Sequence, residues 1–202
     1  MVKKKKLNPE HNAILAALGD GVTNKTEKNR CSTSVSEIAR YDKTWCFVLL
    51  AYPEKGKIKE FRVQLEDLGV TWDCVVYNYL KESTEDPRDD GTIDGYLEKG
   101  EFRYHVIAPV LPSGFAFIGD PANYLTISEK QFPSISWDES SITVNAKGDA
   151  ADSYWALFFT PTRPSKIEID GEKPDEIVRV NDTTRVKVTF KDSKEKVITL
   201  QA

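Results

Sequence analysis

The chain is poor in the residues that carry most side-chain chemistry. Only two histidines, three cysteines and one methionine occur in 202 residues. Cys31, Cys46 and Cys74 are odd in number and lack Cys-x-x-Cys spacing, which argues against a disulfide framework or a cysteine zinc site. Cys46 and Cys74 lie in apolar segments, where a free thiol packs as a small hydrophobe. That usage suits a reducing, cytoplasmic compartment. No stretch reaches the ~18 apolar residues of a membrane span. A signal-peptide core is missing too, because "AILAAL" is too short and Glu10 and His11 stand just before it. Nor is there an excess of positive charge. The net charge is −4, without the basic character of a nucleic-acid binder. The one basic run, Lys3 to Lys6, reads as a solvated tail. Neither a nucleic-acid partner nor a membrane is expected.

What remains is ordinary globular material: 40% hydrophobic and 30% charged residues. The length allows one large domain or two small ones, with a core that needs no staples. Helix signals are confined to "NPEHNAILAALGDG". There Asn8 can cap, Pro9 suits the first helical position and Glu10 favours the positive end of the dipole. Ile14, Leu15 and Leu18 form one apolar stripe, and Gly19 or Gly21 ends it. So short a helix cannot bury its own stripe, which makes these three residues candidate contacts for a partner.

Beyond a polar stretch the hydrophobic period becomes two. "WCFVLLAY" is apolar on both faces, as a covered strand is. "FRVQLE" alternates, with Phe61, Val63 and Leu65 inward. "LEDLGV" reads as a corner, and "WDCVVYNYL" as a second two-sided strand. "EFRYHVIA" puts Phe102, Tyr104 and Val106 on one face and leaves His105 with Glu101 and Arg103, toward water or a seam. "GFAFIG" closes this unit. After "GDPANYLTISEKQFP", the expected seam, come "SITVNAK", "YWALFFT" and "KIEIDGE" with its Asp170-Gly171 turn. "RVKVTF" and "KVITLQ" read as a hairpin around "KDSKE". Short strands at regular spacing predict a mainly β protein, an antiparallel β-sandwich with one short N-terminal helix. The expected division is a tail and helix over residues 1–30, a sandwich over 31–125 and a smaller antiparallel unit over 126–202. One larger sandwich and two packed β-units both fit.

Candidate chemistry is sparse. In the acidic loop "ESTEDPRDDGTIDG", Asp90 and Gly91 fit positions 5 and 6 of a calcium loop counted from Asp86. Arg88 and Leu97 occupy positions 3 and 12, where oxygen ligands are required. His11 and His105 are far apart, and no nucleophile elbow is present. The 32 acidic residues lie mainly on outward faces or in turns, whereas a general acid needs an apolar pocket to raise its pKa. No catalytic residue, metal ligand or cofactor is assigned. Of the four tryptophans, Trp45, Trp72 and Trp155 sit in or beside apolar strands and read as core. Trp137, beside "DES", is the best candidate for stacking on a sugar. "NKT" at Asn24 and "NDT" at Asn181 match the glycosylation sequon, which a reducing compartment would leave unused.

The order of segments also carries a resemblance. "WCFVLLAYPEKGKIKEFRVQLEDLGV", "TWDCVVYNYLKE" and "GTIDGYLEKGEFRYHVIAPVLPSGFAFIGD" resemble the C-terminal β-sandwich of α-galactosidase and raffinose-synthase-like glycoside hydrolases. Leu65, Leu68 and Gly69 match that group's corner. Val76, Asn78 and Leu80 fall on its Val, Asp and Trp, two of them substituted. Gly91, Pro112 and Gly114 match the run into the closing strand. "EHNAILAALGDGV" is similar to a last barrel helix, and "SYWALFFTPTRPSKIEIDGE" to the tail pattern. The likeness spans residues 8 to 171. In that group the catalytic carboxylates sit on the preceding β/α barrel, for which this chain has no room. The resemblance therefore implies a non-catalytic module packing against a catalytic barrel domain or subunit. A carbohydrate-binding module is the first alternative and a stand-alone glycosidase the second.

Overall fold

The computed structural model describes residues 23–25, 32–40, 42–51, 59–85, 90–98, 100–191 and 195–202. The expected N-terminal helix, with Ile14, Leu15 and Leu18, lies outside them. Among the described residues the protein is mainly β, built from antiparallel sheets, as the hydrophobic period predicts. In chain order the strands are β1 (Thr23–Lys25), β2 (Ser32–Arg40), β3 (Lys43–Ala51), β4 (Lys59–Gln64), β5 (Cys74–Asn78), β6 (Ser83–Glu85), β7 (Thr92–Leu97) and β8 (Phe102–Pro109). They continue with β9 (Ala116–Gly119), β10 (Ser134–Trp137), β11 (Ser141–Lys147), β12 (Ser153–Phe159), β13 (Lys166–Ile169), β14 (Ile177–Val180), β15 (Thr183–Thr189) and β16 (Glu195–Gln201).

The chain divides into two compact units. The first is Met1–Ala39, Thr44–Thr71 and Val76–Ile107; the second is Arg40–Lys43, Trp72–Val75 and Ala108–Ala202. The main division thus falls between Ile107 and Ala108, ahead of the expected seam. The reason is β9: "AFIG" does not close the first unit but pairs antiparallel with β12 in the second.

In the first unit a six-stranded sheet runs β1-β2-β3-β8-β5-β6. Every residue of β3 from Trp45 to Ala51 is buried, as a strand apolar on both faces requires. β4 and β7 form a separate antiparallel pair with Phe61 opposite Gly95. A Cβ on Gly95 would stand 3.0 Å from the Phe61 ring, so glycine lets that ring lie across its partner strand. A 3-10 turn, Glu66–Leu68, makes the corner after β4 and ends on Gly69 with φ +78. The Val70 amide then bonds back to the Leu65 carbonyl.

The second unit is a two-sheet sandwich. One sheet runs β10-β11-β16-β13, the other β14-β15-β12-β9. From the first sheet Ile135, Ile142, Val144, Ala146, Ile198 and Leu200 are fully buried, and from the second Phe117, Ala156, Phe158, Val186 and Val188. Phe132 joins them, edge-on to Phe117 at 4.8 Å and to Tyr154 at 5.7 Å. The Asp170-Gly171 turn is as expected: both residues have positive φ, and Ile169 and Glu172 exchange backbone hydrogen bonds. The expected β15–β16 hairpin is not formed. β15 pairs with β12 and β14, whereas β16 pairs with β11 and β13. Each has one face of core residues, and each is used as a central strand of a different sheet. Ile177–Val180, to which the hydrophobic pattern assigns nothing, is a further edge strand.

Candidate functional site

In the first unit Glu85 gathers a set of polar side chains around it. Its Oε1 accepts from Asn78 Nδ2 at 2.8 Å and from Lys81 Nζ at 3.2 Å. Its Oε2 lies 3.1 Å from His105 Nε2. The Lys81 amide in turn donates to Asn78 Oδ1. His105 is 1% exposed. It does not face water with Glu101 and Arg103: it stands opposite the buried Val48 of β3 and against Glu85 of β6. Its Nδ1 is buried without a hydrogen-bond partner among the described residues.

These contacts hold the Glu85 carboxyl down to about 2. The His105 hydrogen bond contributes most; partial burial opposes it, and Asn78 and Lys81 add to it. A carboxylate so stabilised is a poor base and cannot act as an acid near neutrality. Its work is structural: it joins β6 to β5 and β8. Its folded pKa lies below the unfolded value of 4.5. The stabilisation is therefore complete above pH 4.5 and is lost as pH falls toward 2. For a carboxylate partly screened by solvent this amounts to about 1–2 kcal/mol. Glu85→Gln should flatten the acid limb of a stability–pH curve by that amount, as measured by urea unfolding between pH 2 and 6. An unchanged acid limb would show that Glu85 does not clamp these strands.

Elsewhere the displaced carboxyls move the same way. In Asp170, burial is overridden by Lys196 and the Val197 amide. In Asp138 the Ser140 amide leads, and in Asp90 the Thr92 hydroxyl. None of these is raised, as a general acid would need. Cys74 is pushed up to about 11 by burial and by Asp73, so its thiol is not activated. Among the described residues no cluster of three His, Cys, Asp or Glu side chains could hold a metal.

The tryptophans are not arranged as an open platform. Trp45 is fully buried. Trp72 is half-buried. Trp155 is half-buried too, with Lys187 Nζ 5.7 Å from its ring centre. Trp137 ends β10 half-buried, opposite the core residue Ile142. Among the described residues the most exposed aromatic is Tyr96, at 65%.

The second unit contains a groove that the sequence does not signal. β13 and β14 are the edge strands of their respective sheets, and between them lies an opening of about 960 Å3. Ile167 and Ile177 line it. Their register partners, Leu200 and Val186, are core residues, so the groove opens onto the sandwich interior. Arg163, Lys166, Lys173 and Arg179 line it as well, against two carboxylates among the described residues, Glu168 and Asp175. Lys166 and Glu168 pair at 2.8 Å. Arg179 is held by Thr160 and Thr162 through neutral oxygens, with no ion pair among the described residues. All four residues of β14 are exposed, Val180 at 51%. No protein-family model matches the chain, and no curated protein matches it.

Proposed function

We propose that the chain is a non-catalytic β-sandwich module that works by docking on another protein. Its resemblance to the C-terminal sandwich of α-galactosidase-like enzymes supports a catalytic sugar-hydrolase barrel as the partner. The observation that carries the non-catalytic half is the state of Glu85. Glu85, held by Asn78, Lys81 and His105, is already spent as a strand clamp, with its pKa moved away from acid–base use. Hydrolysis of a glycosidic bond needs two facing carboxyls with divided roles. A sugar-binding role would call on Trp137, whose half-buried place opposite Ile142 suits packing better than stacking.

The purified chain should give no turnover of nitrophenyl galactosides above the buffer rate. Sustained turnover would overturn the non-catalytic reading. Cross-linking in the cells that make the protein should recover a β/α-barrel glycosidase. Recovery of other partners alone would remove the hydrolase half of the proposal.

A further inference from the structure

We infer that the groove between β13 and β14 is a binding site for an extended, acidic peptide segment of a partner protein, which adds as a further strand to the β14 edge. The inference goes beyond the reading above and does not depend on the partner being a glycosidase.

Three observations carry it. The first is the backbone. Among the described residues β14 is paired on one side only, with β15, and β13 on one side only, with β16. An edge strand offers unpaired N–H and C=O groups as a template for another chain. Natural edges are blunted by charge, proline or bulges. β14 reads Ile-Val-Arg-Val, with no proline and one charge.

The second is the floor. Ile167 and Ile177 bring the apolar interior to the surface between the two sheets. A strand laid there with alternating side chains would place every second residue on that floor.

The third is charge. Among the described residues four cations line the groove against two carboxylates, one of which is paired with Lys166. Arg179 is fixed by neutral oxygens, and Arg163 and Lys173 are exposed with no ion pair among the described residues. The surplus is positive, so the complementary segment is acidic. The chain's own Lys3–Lys6 run has the wrong sign for this occupant.

The probe is a fluorescein-labelled twelve-residue peptide alternating Glu or Asp with Val or Ile, titrated with the full chain. It should bind at least ten times more tightly than the same peptide with Lys in place of the acids. Arg163→Glu combined with Lys173→Glu should weaken binding at least tenfold while leaving the thermal melt in place, because both residues are exposed. Hydrogen exchange in the complex should slow at the amides of Ile177–Val180. The inference is overturned if the acidic and basic peptides bind alike, if the double variant binds unchanged, or if protection appears elsewhere. Protection of the same amides by self-association of the chain, without peptide, would make a second copy the occupant and overturn the peptide assignment. None of these outcomes bears on glycoside turnover, so this inference and the proposed function fail separately.

Discussion

Phe117→Ala should remove about 3–5 kcal/mol from the stability of the second unit, the range for deleting a buried aromatic ring. Phe117 is fully buried, with Phe132 at 4.8 Å and Phe158 at 5.0 Å between ring centres. It comes from β9, Phe158 from β12, and Phe132 from the segment before β10. One ring thus ties two strands of a sheet to the chain entering the other sheet. Domains of this kind are stable by only about 5–15 kcal/mol in total, so a large share of the unit's cooperativity would go. Phe117→Leu, which retains most of the volume, should cost about 1.5 kcal/mol or less. Urea unfolding followed by tryptophan fluorescence measures both. A loss below about 1 kcal/mol for the alanine variant would mean that the ring is not enclosed as described.

Gly119→Ala should be nearly as damaging, at about 2–4 kcal/mol, through backbone strain rather than a cavity. Gly119 has φ +107, and a Cβ there would stand 2.1 Å from the Thr126 carbonyl oxygen. That oxygen also accepts the Asp120 amide, and the Thr126 hydroxyl donates to the Ile118 carbonyl. The position lies at a bulge, where Leu157 pairs with Gly119 and the next residue, Phe158, with Phe117. Because the obstacle is backbone, shortening the facing side chain cannot relieve it. Gly119→Ala combined with Thr126→Ala should be no more stable than Gly119→Ala alone. Gly148 gives the contrast: a Cβ there meets the Phe190 ring at 2.7 Å, an obstacle that Phe190→Leu could lessen. Rescue at Gly119 by the threonine change would show that the close approach is not to the main chain.

The elements legible in sequence are those whose signal is local. β3 and β4 follow from the two-sided and alternating patterns of "WCFVLLA" and "FRVQ", and the Asp170-Gly171 turn follows from its dipeptide. Pairing across distance was not legible. "RVKVTF" and "KVITLQ" are neighbours in sequence with a charged connection, yet they serve different sheets. "AFIG" belongs with a strand about 40 residues later rather than with β8. The Glu85 cluster escapes a reading of the sequence for the same reason. Ser83–Glu85 is short and polar, and its carboxylate acquires meaning only once β5 and β8 lie beside it. The groove is harder still, since it consists of two edges without a strand between them, and no residue pattern announces a missing neighbour.

The position of β16 governs how the second unit assembles. It is bonded on both sides, its residues 195–201 meeting 141–147 on one flank and 166–169 on the other. The β10–β11 and β14–β15 pairs need only short-range closure, whereas the sheet around β16 requires ends some 50 residues apart to meet. Chains dominated by such non-local pairing fold in milliseconds to seconds rather than microseconds. Until β16 arrives, β11 and β13 have open flanks, and the apolar faces they share with it stay wet. Any species in which β16 is still unpaired offers those flanks to a second copy of the chain.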